Sequence, residues 1–109
     1  MQITRTLILA ALAVLLCPPA QAGSPERGQM LVERHCGGCH ATGKQGASRQ
    51  PAAPPFRDLN RRYDPEQLGE ALAEGLLVGH PMMPEFRFEA DDVQSIILYL
   101  KSIQTRQAG

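Results

Sequence analysis

No tryptophan occurs in this chain of 109 residues, and its other aromatic side chains are three Phe and two Tyr. Ring packing therefore contributes little to any core, and a domain this small needs apolar area or a staple from another source. An excess of one charge is missing as well, since eleven basic side chains balance eleven acidic ones and neither end carries a block of like charge. That excludes an electrostatic grip on nucleic acid and names no class of partner. No apolar run reaches the about 20 residues that a bilayer span requires, so stable membrane insertion is not expected. Strand-period alternation is also lacking, which makes the expected fold class all-α.

What is present begins with the N-terminus. "MQITR" carries one cation, "TLILAALAVLLC" is unbroken and apolar, and "PPAQAG" closes it with two prolines and a small-x-small pattern. Residues 1–22 read as a secretory signal peptide cleaved after Ala22, leaving a single domain at 23–109 in the periplasm. Cys17 leaves with the signal. Leu16 before it argues against lipidation, where a lipoprotein signal has Gly, Ala or Ser. Losing Arg5 tips the balanced chain to a slight acidic excess.

Three segments have helical character. The first covers about 25–35, with Ser24 as N-cap, Pro25 at the first position and Glu26 in the first turn. A second starts at Asp64, where Pro65 and Gln67 complete a capping-box pattern. It places Leu68, Ala71, Leu72, Gly75 and Leu76 on one face and is expected to end near Gly79. The third, about 90–104, carries the stripe Val93, Ile96, Ile97, Leu100 and Ile103, with Asp91 and Asp92 at its start and Lys101 at its end. The connections at 41–63 and 79–89 are long for so small a domain, and loops of that length are expected to wrap around something.

The first helix leads into "HCGGCH", residues 35–40. A disulfide between Cys36 and Cys39 leaves His40 without a role. A thioredoxin-like pair needs a preceding strand and an α/β context. Zinc, with His80 as a fourth ligand, is strained by the adjacency of Cys39 and His40. Covalent haem attachment uses every residue: two thiols one turn apart add to two vinyl groups, and the next imidazole reaches the iron. Gly37 and Gly38 leave room for the porphyrin edge. For the iron's other face, "GHPMMPEF" offers His80, Met82 and Met83. A thioether there raises the reduction potential and suits electron transfer.

These residues together resemble the class I cytochrome c family, over nearly the whole of 23–109. The resemblance implies a cytochrome c fold, with three main helices around one covalently bound haem c held by Cys36 and Cys39. Iron ligation by His40 and Met83 follows from the same likeness, because the family's axial methionine stands in an M-P-x-F context that Met83-Pro84-Glu85-Phe86 matches. Gly28, eight residues before Cys36, takes the place of the family's helix-crossing glycine, with Val32, Ile96 and Tyr99 in the companion positions. A family proline whose carbonyl fixes the imidazole maps onto Pro54 or Pro55, beside Phe56, and Pro51 leaves the match ambiguous. Arg57, Arg61, Arg62 and Tyr63 lie where such cytochromes often bond the haem propionates. His35 is expected to point away from the haem face.

The apolar wall is expected from Phe56, Leu59, Leu68, Leu72, Leu76 and Phe86. The function implied is one-electron carriage, with no enzyme activity, between redox protein partners: a dehydrogenase or respiratory complex on one side and an oxidase or reductase on the other. The chain would serve as a monomer or as a small subunit of a dehydrogenase complex. The alternative is a haem-based ligand-binding or peroxidase-like protein with an open or labile sixth site.

Overall fold

A computed structural model of the chain describes residues 23–75 and 82–105, together with Leu16. The expected signal peptide, apart from Leu16, therefore lies outside the described residues, as do Leu76, Gly79 and His80.

Helix α1 spans Pro25–Cys36. It starts where the sequence signals it: the Ser24 side chain accepts from the Arg27 N–H at 3.2 Å, and Pro25 occupies a position whose N–H has no intrahelical partner anyway. Two short 3-10 helices follow, Phe56–Arg61 and Pro65–Leu68, then α2 at Gly69–Glu74 and α3 at Ala90–Ile103. No strand occurs among the described residues.

The segment after Asp64 differs from the single long helix expected. Asp64 caps it through the Glu66 N–H at 2.9 Å, but the first turn is wound as 3-10 and α2 has only six residues. The helix stops because Gly75 adopts φ +112, a backbone region that side-chain-bearing residues avoid. The Glu85 side chain then packs over the space a Cβ at Gly75 would fill. The long 41–63 connection is also less irregular than expected, since the first 3-10 helix lies within it.

α1 packs across α3 at Gly28. A Cβ there would overlap the Ser95 carbonyl oxygen and lie 2.9 Å from the Tyr99 Cβ, so only glycine lets the two backbones meet. Ser95, absent from the predicted stripe, is fully buried at this crossing. Its hydroxyl donates to the Asp91 carbonyl at 2.8 Å and accepts from the Ser24 N–H at 3.0 Å, tying the start of α1 to α3. At the surface Arg27 grips both Asp92 carboxylate oxygens, at 2.5 and 3.2 Å. That hydrogen bond and charge hold Asp92 below its usual carboxylate range.

The core gathers Leu31 and Val32 of α1, Leu59 of the first 3-10 helix, and Ile96, Tyr99, Leu100 and Ile103 of α3. Cys36, Phe56, Leu68, Leu72 and Phe88 pack against it while half-buried. Val93, expected in the stripe, is only half-buried. α2 buries no residue fully. The apolar interior is thus concentrated on one side of the molecule, and the other side opens into a cleft.

Candidate functional site

Cys36 is the last residue of α1, and the chain then turns tightly on the Cys36 carbonyl, which accepts from the Cys39 N–H at 3.2 Å and the His40 N–H at 2.9 Å. The turn needs Gly37, whose Cβ would lie 2.5 Å from the Glu33 carbonyl oxygen. Gly38 has open space around it and lines the cleft, so of the two glycines it is the one that leaves room there. Both cysteines are free thiols; Cys36 is half-buried and Cys39 exposed. Burial pushes the Cys36 thiol up to about 11, which keeps it protonated at neutral pH.

His40 is half-buried, with Nδ1 2.8 Å from the Pro54 carbonyl oxygen. A carbonyl can only accept, so Nδ1 donates this bond, and in the neutral ring Nε2 then presents the lone pair. Of the three prolines in "RQPAAPPF", Pro54 is the one that makes this bond. Phe56 stacks on the His40 ring, centroids 4.4 Å apart at 29°. The loop that delivers these groups is pinned at several points: Gln50 N–H to Cys39 O at 3.0 Å, Ala53 N–H to Gln50 O at 3.0 Å and Phe56 N–H to Ala41 O at 3.0 Å. Tyr99 adds a hydrogen bond to the Thr42 carbonyl at 2.6 Å. Burial and then the Glu33 charge push the Tyr99 phenol up, so it stays a neutral donor.

His40, Cys36, Cys39 and Pro54 form part of a cleft of about 360 Å³ whose wall also includes Met82, Met83, Pro84 and Phe86. Met83 is half-buried, whereas Met82 is 78% exposed. The segment carrying them returns to the body of the protein through the Phe88 N–H, which bonds the Leu72 carbonyl at 2.9 Å. Among the described residues, no Lys, Arg, Asp or Glu is on this wall.

The other expected pocket residues divide. Phe86 is on the cleft wall, while Pro55 caps the first 3-10 helix and Phe56 backs the His40 ring without reaching the wall. Leu59, Leu68 and Leu72 belong to the core behind the cleft, because the helices bearing them face α3. Arg61 and Arg62 are exposed, as is Tyr63, and none of the three lines the cleft. Arg57 Nη1 is buried with no hydrogen-bond partner among the described residues.

His35 departs from expectation. Its ring is solvent-exposed yet sits on the cleft wall, 5.5 Å from the rings of both Phe86 and Phe88. The available signal was its position one helical turn after buried Leu31, which sets both on one face of α1.

Residues 23–100 match the family model described as cytochrome c oxidase, cbb3-type, subunit III. No curated protein and no solved structure matches the chain.

Proposed function

The chain belongs to the cytochrome c oxidase, cbb3-type, subunit III family, a family of c-type cytochromes, and from that premise we propose a one-electron carrier that holds one covalently bound haem c and transforms no substrate itself. The observation that carries this reading is the set of groups on one apolar cleft: two free thiols, an imidazole whose Nδ1–H is held by Pro54, and a half-buried thioether.

That donor set fits a haem. Cys36 and Cys39 would hold the thioether bonds, His40 Nε2 the proximal bond to iron and Met83 the distal one. When bound, the haem supplies an iron that alternates between Fe(II) and Fe(III), with a His/Met pair raising the potential. Pro54 orients the imidazole and increases its basicity through the Nδ1–H bond. Met83, Pro84 and Phe86 give the cleft an uncharged boundary, which disfavours the more highly charged ferric state.

Residues 1–22 act as a cleaved export signal in this reading, delivering 23–109 to the periplasm. The described residues contain no helix long and apolar enough to cross a membrane. Electron donor and acceptor are redox proteins, and the matched family's description accords with an oxidase or respiratory complex at one end of the transfer. The chain works as a monomer or a small subunit.

Expression with a cytochrome c maturation system tests the reading. The expected product starts at Gly23, keeps haem stain through a denaturing gel, weighs one haem more than the polypeptide and titrates reversibly with one electron. A colourless product with a Cys36–Cys39 disulfide or bound zinc would contradict it.

A further inference from the structure

The C-terminal end of α3 makes an unusually complete set of bonds to the segment behind His40. Gln104 is the residue at which α3 stops. Its Nε2 donates to the Phe56 carbonyl at 2.7 Å and to the Leu100 carbonyl at 2.8 Å, and its Oε1 accepts from the Asn60 N–H at 2.8 Å. The amide orientation follows from the partners, because two acceptors face one end and a donor faces the other. Thr105 continues the clamp, its N–H and hydroxyl both donating to the Arg57 carbonyl, at 2.8 and 2.7 Å.

One side chain thus satisfies an otherwise orphaned carbonyl in the last turn of α3 and fixes both ends of a stretch of the first 3-10 helix. That stretch begins with Phe56. The Phe56 ring lies on the imidazole of His40, and two residues upstream the Pro54 carbonyl takes the His40 Nδ1–H. Only Pro55, whose ring fixes its φ at -59, separates the two residues, which couples a shift at the Phe56 carbonyl to the Pro54 carbonyl.

We propose that Gln104 is a positioning residue for the proximal histidine: by holding the Phe56 carbonyl it sets the His40 Nδ1–H bond to Pro54, and through that bond the reduction potential. The proposal rests on His40 being the iron's proximal ligand. A strong Nδ1–H bond makes the imidazole a better donor and stabilises Fe(III). Loosening it moves the equilibrium toward the reduced form. Water admitted beside the Phe56 carbonyl would enter behind the ring, on the side away from the cleft.

The experiment uses the haem-loaded protein and two variants, Gln104→Ala and Gln104→Glu. The first removes all three bonds; the second keeps length and acceptor but loses both donors. Each is expected to shift the equilibrium with a one-electron mediator at least threefold toward the reduced state, about 28 mV at 59 mV per decade. Each should also speed solvent exchange of the His40 Nδ1 proton, read by NMR, at least tenfold. Ile103→Val trims the buried core cluster that Phe56 packs against but leaves the three Gln104 bonds in place, and is expected to lower the melting temperature while leaving both readouts at wild type. Wild-type potential and proton exchange in a folded Gln104→Ala or Gln104→Glu protein would overturn the proposal, as would an equal shift in Ile103→Val. A wild type that binds no haem overturns the functional reading and this inference together; unmoved variants beside a normal wild type overturn this one alone.

Discussion

Replacing Cys36 and Cys39 together with alanine is expected to leave a chain without a cooperative thermal transition and with most of its helical circular-dichroism signal gone. Among the described residues the buried apolar side chains come mostly from α1 and α3, with Ala41 from the loop and Leu59 from the first 3-10 helix, while α2 contributes none. A domain of this size buries too little surface to tolerate an empty cleft of about 360 Å³ beside the core that the described residues form. In the proposed haem-loaded protein a covalently held macrocycle would fill that cleft and give Met82, Met83, Pro84 and Phe86 an interior to pack against. A sharp helical melt in the double variant, comparable with wild type, would show that the polypeptide folds by itself.

The second large effect belongs to Gly28→Ala. Alanine is the better helix former by about 1 kcal/mol, so propensity alone predicts a gain. Geometry predicts the opposite, because the new Cβ would fall on the Ser95 carbonyl, a backbone group fixed within α3. The helices must separate, at a cost of about 1–3 kcal/mol for an overpacked contact. For a domain of this length each kcal/mol lowers the melting temperature by about 4–8 °C. Gly43→Ala is the matched control, with nothing within 4 Å of its added Cβ, and should melt with wild type. A Gly28→Ala protein as stable as that control would remove the close crossing from the account.

The sequence showed α1 and α3 almost to the residue, because Ser24-Pro25 and the Ile96, Ile97, Leu100, Ile103 stripe are strong local signals. It overstated the middle helix, where apolar spacing continued past Gly75 but the backbone there turns to positive φ. Ser95 was invisible for a related reason: a small polar side chain disappears from a hydrophobic pattern, yet a helix crossing at glycine needs small neighbours. At the site, the chemistry of "HCGGCH" and "MMPEF" could be read from residue types, whereas the choice of Pro54 over Pro55 depends on loop geometry that spacing does not encode. His35 against Phe86 and Phe88, and Gln104 against Phe56, join residues about 50 positions apart along the chain. Contacts of that kind leave no periodic trace in a single sequence.

The central proposal is that His40 and Met83, both on the cleft wall, would ligate one iron, and the ferric absorption spectrum tests it most directly. Wild type is expected to show the Met–ferric-haem charge-transfer band, Met83→Leu to lose it, and Met82→Leu to keep it, since Met82 is 78% exposed where Met83 is half-buried. High-spin features with rapid carbon monoxide binding in the unmutated protein, or a band that survives Met83→Leu, would contradict the account.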